Sequence, residues 1–401
     1  MILLICLYAP LMTLNQVKYS GFGILVTTKV EKFLVSGCPN TPCLVVDLDV
    51  VSMNYKRFKE AFPGSMIYYA VKANPAPPIL KKLAALGSRF DAASLLEVER
   101  CLAVGVVSQH ISYGNTIKKV DDIAAAYDLG VRLFAFDSEH DLQKINIAAP
   151  GSKVFCRIMT KNTGAAWPFS DKFGCSPDMA IDLLIDAEKM GLEPHGVSFH
   201  VGSQQTNARE WGKALKCIAL LFNKLRKHGI NLDLLNLGGG FPISYRKDVL
   251  AIEVLASSIQ EYIAQYFSDR LPTIMFEPGR YIIAEAGLLR SEVVLVSTKS
   301  YGAKRRWIYL DVGTYGGLAE TMNEAIQYPL RTLRDGSEKG PVIIAGPSCD
   351  GADVLYRNAG YELPLTLKEG DFVDILCTGA YTASYASIDF NGFAPLQEYY
   401  L

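Results

Sequence analysis

From about Cys43 onward, short apolar runs alternate with stretches whose apolar residues recur every three or four positions. "CLVVDLD" precedes a helical pattern through Phe62, "SMIYYAVKA" precedes "PAPPILKKLAALG", and "SRFDAAS" precedes "LLEVERCLAVG". "HISYGNT", "VRLFAFDS", "SKVFCRIM", "HGVSFHVGS", "LDLLNLGGGFP" and "TIMFEPGR" continue the series, most followed by a helix-period segment. Runs of four to six apolar residues read as strands buried on both faces, and the intervening segments as amphipathic helices. Counting gives eight or nine β/α repeats over roughly 240 residues, the size and rhythm of a (β/α)8 barrel.

A doubly wound open sheet is the competing reading. Polar residues recur at the C-terminal ends of successive strands: Lys72, Asp91, Asn115, Asp137, Arg157, His200, Gly238–Gly240 and Glu277. On a barrel these ends converge on one mouth, whereas on an open sheet they would be strung along a line. The barrel is therefore preferred, over residues 44–281. After Arg280 the texture changes to strands joined by turns, among them "LLRSEVVLVSTKS", "RRWIYLDVG", "GPVIIAGP" and "DFVDILCTG". That pattern predicts an α/β barrel followed by an antiparallel β-domain over 282–401, joined by part of the segment 15–43.

Half of the 401 residues are hydrophobic and the formal net charge is −1. The balance offers no basic field for nucleic acid. Nine cysteines occur without a C-x-x-C pair, which points away from a zinc site or disulfide framework and toward a reducing, cytoplasmic compartment. The opening run "MILLICLYAPLMTLNQ" is too short to span a bilayer and lacks a basic flank and a cleavage site. It reads as a disordered or sheet-edge extension, or as a start placed too early with Met12 as the true first residue; a weak signal anchor is the less favoured reading. No membrane association is expected.

Lys72 ends the apolar run of "YYAVKANP", where an ammonium is costly unless it has a task. A lysine amine can form a Schiff base with a carbonyl compound or with pyridoxal phosphate (PLP). Alone it could equally lie over the rim with its head in water. The same rim supplies "NLGGGFP", whose glycines let backbone N–H groups approach an anion, in the late loops where barrels commonly bind phosphate. In "EPGRY", Glu277 could face a ring nitrogen while the Arg280 fork reaches phosphate oxygens. In "SFHVGS", His200 could stack on an aromatic cofactor and Ser203 bond a phosphate, although a lone histidine there is more often part of the core. "GPSCDG" puts a thiol, Cys349, beside a carboxylate, Asp350, on a Gly/Pro-rich loop, which alone would be an ordinary turn.

Taken in order, "YYAVKANP", "FDAAS", "SFHVGS", "LGGGFP", "EPGRY", "GPSCDG" and "GAYT" resemble the PLP-dependent decarboxylases of the ornithine decarboxylase family, from about Thr41 onward. "SYGNTIKK", "WPFSDKFGC", "HVGSQQ" and "GLAETMNEAIQYP" look like the bacterial ornithine and lysine/ornithine branch. The resemblance implies an alanine-racemase-type fold and PLP as cofactor, with Lys72 as its covalent anchor. It implies that Glu277 pairs with the pyridine nitrogen and that His200 stacks on the ring. Ser203, the Gly238, Gly239 and Gly240 backbone, Arg280 and Tyr381 would hold the phosphate, and Asp91, Glu97 and Arg157 would support cofactor and lysine. Cys349 would return a proton to Cα and Asp350 would bind the substrate's distal ammonium, both in the partner subunit's site of a homodimer with shared active sites.

The chemistry agrees with the residue types. Loss of CO2 leaves a carbanion at Cα that the cofactor ring must absorb, and a carboxylate at the ring nitrogen keeps it protonated and strengthens that sink. A racemase of the same fold uses an arginine there, so Glu277 favours decarboxylation. One departure concerns the substrate: bacterial relatives usually carry an acid where this chain has Asn323, which is followed by Glu324. The expected reaction is L-ornithine to putrescine, in polyamine biosynthesis, with L-lysine to cadaverine as a second activity. The alternatives are a decarboxylase of another amino acid and a non-catalytic regulatory homologue.

Overall fold

The computed structural model describes residues 26–37, 39–160, 163–167 and 172–401. The opening extension and part of "WPFSDKFGC" lie outside these residues. Eight parallel strands close on themselves: Met66–Ala70, Arg89–Ala92, Ile111–Tyr113, Leu133–Phe136, Lys153–Arg157, Glu193–Ser198, Leu234–Asn236 and Thr273–Phe276. The last strand pairs with the first, Phe276 opposite Ile67, and completes the barrel. Strand alternation sends Tyr68, Ala135, Phe155, Leu234 and Met275 into a small interior cluster. Their neighbours Ile67, Tyr69, Phe134 and Phe276 join the larger core under the surrounding helices.

The helices follow their caps and stripes. Ser94 and Ser138 accept from the amides of Glu97 and Asp141 at the starts of Leu95–Ala103 and Glu139–Ala148. In Arg209–Lys227 the buried positions Trp211, Leu215, Ile218, Phe222 and Leu225 recur every three or four residues and form the face laid on the barrel. Among the described residues no helix is long and apolar enough to cross a membrane.

The second domain is organised around the eleven-residue strand Gly287–Ser297. Its first half pairs antiparallel with Phe372–Leu376 and Cys43–Val46, and its second half with Arg306–Leu310. Two pairs in this sheet are parallel: Arg306–Leu310 with Lys339–Ala345, and Cys43–Val46 with Gln397–Tyr400. The strand Cys43–Val46 is thus not a barrel strand, although it heads the alternating series. Helix Thr28–Ser36 docks on the same sheet, where Arg290 donates to the Leu34 carbonyl and Arg331 pairs with Glu31.

Candidate active site

All eight strand-end positions read from the sequence fall at one mouth of the barrel. A cavity of about 370 Å3 opens there, lined by Lys72, Asp91, Asn115, Arg157, His200, Ser203, Gly240, Glu277 and Arg280 from the barrel. Glu320, Tyr381, Ser384 and Tyr385 close it from the β-domain. The site therefore lies where the two domains meet.

Lys72 follows strand Met66–Ala70 in a short 3-10 turn and faces the cavity instead of packing against neighbours. Burial alone would pull its pKa down; Tyr381, Asp91 and Glu277 pull it up and prevail, so the amine sits above the ordinary lysine range. An amine held in its charged form must give up a proton before it can bond to an aldehyde carbon. Burial, and then Glu277, push the Asp91 carboxyl well above the usual carboxylate range. A Cβ at Gly114 would lie 1.9 Å from Asp91 Oδ1, so only glycine leaves the carboxyl its place.

Glu277 is fixed by Asn236, a residue that carries no signal of this role in the sequence. Asn236, the last residue of its strand, donates from Nδ2 to Glu277 Oε1 at 2.5 Å, and its Oδ1 accepts from the Gly238 amide at 2.9 Å. One buried amide thereby orients the carboxylate and shapes the glycine turn. Gly238 and Gly240 have φ of +66° and +91°, and a Cβ at Gly240 would meet the Gly202 carbonyl at 2.2 Å. The amides of Gly239 and Gly240 donate to no protein group among the described residues, which leaves two backbone donors for an anion.

His200 accepts at Nδ1 from the Gly202 amide, 3.0 Å away, so Nε2 carries the ring proton. Burial, then Arg157 and Lys72, hold its pKa well below the usual value, and the imidazole is neutral. A neutral ring can lie flat against an aromatic cofactor without placing a second cation beside Lys72. Arg157 lies 4.8 Å over the Phe173 ring.

Arg280 is the most heavily bonded side chain of the site. Nε donates to Ser203 Oγ at 3.1 Å, one terminal nitrogen to Tyr245 OH at 2.8 Å and Glu320 Oε2 at 2.7 Å, and the other to Glu320 Oε1 at 2.5 Å. Tyr381, whose φ is +57°, sets its ring 4.9 Å from the guanidinium carbon, and its amide donates to the Ala73 carbonyl. Glu320 lies within "GLAETMNEAIQYP", where an acid five residues after Tyr315 has no periodic signal to mark it.

Other candidates stand apart from the cavity. Glu97 spends its carboxylate on the Ala93 amide at 2.7 Å. Cys349 and Asp350 sit on an exposed loop, with Asp350 accepting from Tyr315 OH at 2.8 Å and the Cys349 amide donating to Asn391. Asn323 and Glu324 both adopt positive φ, and Glu324 Oε1 accepts from the amides of Arg357 and Asn358, each at 2.6 Å. None of these five lines the cavity of this chain.

Residues 48–284 match the family model of the pyridoxal-dependent decarboxylases, pyridoxal binding domain. The chain belongs to this family. Across 369 residues it is 38% identical to the lysine/ornithine decarboxylase of Selenomonas ruminantium, covering 92% of this chain and 91% of that protein. The crystal structure of SrLDC with PLP and cadaverine superposes with a TM-score of 0.83 at 36% identity, covering 93% of both chains. The arginine decarboxylase of Paramecium bursaria Chlorella virus gives a TM-score of 0.85 at 29% identity, covering 94% of this chain and 100% of that one. The family's cofactor fits the cavity: an amine to bond an aldehyde, a carboxylate fixed for a ring nitrogen, and free backbone donors beside a buried arginine for a phosphate.

Proposed function

We propose that this pyridoxal-dependent decarboxylase acts on a basic amino acid, L-ornithine first, giving putrescine and CO2, and on L-lysine second, giving cadaverine. The observation that carries the reading is Glu277, held by Asn236 in the same cavity that Lys72 lines. When bound, PLP supplies the electron sink for the pair of electrons left at Cα as CO2 departs. Lys72 holds the aldehyde carbon, and Glu277 keeps a proton on the ring nitrogen. His200 covers one ring face with its neutral imidazole. Ser203, Arg280, Tyr381 and the Gly239 and Gly240 amides hold the phosphate, and Asp91 and Arg157 set the charge around the lysine.

Cys349 and Asp350 enter this reading through a second copy of the chain. Their loop projects from the β-domain, and a homodimer would bring it over the neighbouring cavity. There the Cys349 thiol would return a proton to Cα and the Asp350 carboxylate would receive the distal ammonium. Two backbone amides already bond Glu324 Oε1 and anchor that side chain to its own β-domain. Asn323 is neutral and leaves Asp350 as the principal acid for the ammonium.

The test is CO2 release from L-ornithine, L-lysine and L-arginine by the purified protein, with Asn323→Asp assayed beside it. Ornithine is expected to have the highest kcat/KM. The added carboxylate of Asn323→Asp is expected to change KM by about threefold and leave kcat within about twofold. No release from any of the three would refute the reading.

A further inference from the structure

Arg280 has five N–H groups, and four are already directed: one to Ser203, one to Tyr245 and two to Glu320. The fifth lies on the terminal nitrogen that pairs with Glu320 Oε1. Ser203 accepts from Arg280, so its own hydroxyl proton is free to donate. These two protons, the Tyr381 hydroxyl and the Gly239 and Gly240 amides are the donors that remain for a phosphate. The two protons on Arg280 and Ser203 depend on the plane in which the guanidinium is held.

Glu320 sets that plane. The two side chains are 3% and 5% exposed, and both carboxylate oxygens are engaged by Arg280, which fixes the orientation of a planar fork and not merely its position. The backbone of Glu320 is itself held, because its carbonyl accepts from the Ile326 amide at 3.0 Å. Glu320 lies in the Ala319–Glu324 segment of the β-domain, whereas Arg280 begins the short helix after the last barrel strand. The Arg280 and Ser203 donors of the barrel are therefore held from the other domain.

We propose that Glu320 is a positioning residue that acts through Arg280 to align the donors of the cofactor phosphate. Its negative charge, taken alone, would oppose a phosphate; the alignment outweighs that repulsion because the charge is consumed by a two-point contact with a buried guanidinium. The proposal rests on the PLP reading of the site, and it makes a claim that reading does not: the effect of Glu320 is specific to the phosphate.

The full-length apoprotein would be titrated with PLP and, separately, with pyridoxal, which lacks the phosphate, and binding followed by the absorbance of the lysine-bound cofactor. Loss of that absorbance in Lys72→Ala tests the site reading independently. Glu320→Ala is expected to raise the Kd for PLP about tenfold or more and to leave that for pyridoxal within about twofold. Glu320→Gln, which keeps one acceptor, recovers most of the loss, and Glu320→Ala adds nothing further in an Arg280→Ala background. Equal weakening of pyridoxal and PLP, additive losses with Arg280→Ala, or unchanged or tighter PLP binding by Glu320→Ala would each overturn the proposal.

Discussion

In the proposed reaction the barrel mouth and the Cys349–Asp350 loop would carry the two halves of one chemistry under opposite conditions. At the mouth, Arg280, Glu277 and His200 are each held by named partners among buried neighbours. On the loop, Asp350 is exposed; the Ala352 amide and then the Tyr315 hydroxyl hold its pKa below the ordinary value. Charges and proton transfers act strongly only where water is excluded. The loop therefore holds groups that gain strength only when covered, and the mouth holds groups that are already covered. The cavity at the mouth is formed within a single chain, whereas the loop, in the proposed homodimer, would need a surface to close upon.

The strongest way to break this comparison is at its covered side. Lys72→Ala is expected to lower kcat by about 1,000-fold or more and to abolish the visible absorbance of bound cofactor, read by spectrophotometry and CO2 release. The exposed side is tested by mixing. Lys72→Ala and Asp350→Ala are each expected to be severely impaired, but dissociated and reassociated together they should regain about a quarter of wild-type activity. Half of the dimers formed at random are mixed, and each carries one intact shared site. A site confined to one chain would regain nothing.

A smaller loss sharpens the first half. Asn236→Ala is expected to reduce kcat about 10- to 100-fold with little change in KM, because it releases Glu277 from its orientation while leaving the cavity open. The smallest effect is on stability. His200 has a folded-state pKa depressed by burial, so between that value and about 6.5 the unfolded chain binds the extra proton. Stability contributed by this group is full above about pH 6.5 and falls as pH drops, by at most about 1.4 kcal/mol per pH unit. Urea unfolding at pH 7.5, 6 and 5 should show a steeper loss for wild type than for His200→Gln.

Much of the mouth was legible because barrel topology turns a local position, the C-terminal end of a strand, into a shared place. Lys72, Asp91, Arg157, His200 and Glu277 come together for that reason alone. Asn236 and Glu320 were not legible. One looks like any polar residue at the end of a buried strand, and the other acts across a domain boundary on a residue 40 positions earlier. Glu324 shows its charge in the sequence, but the two backbone amides that bond its Oε1 were not legible there. The strand Cys43–Val46 imitates a barrel strand because four apolar residues before a helix carry no mark of their pairing partner. Its partners are Gly287–Arg290 and Gln397–Tyr400.

That pairing has a consequence during synthesis. Cys43–Val46 leaves the ribosome before any barrel strand, yet its partners are encoded roughly 240 and 350 residues later; at about 5–20 residues per second that is a wait of roughly 12–70 s. Throughout that interval a fully apolar strand has no sheet to join while the barrel assembles beside it. The nascent chain thus carries a sticky edge for nearly the whole of its translation, and a chaperone able to hold one short extended segment would shield it until the β-domain arrives.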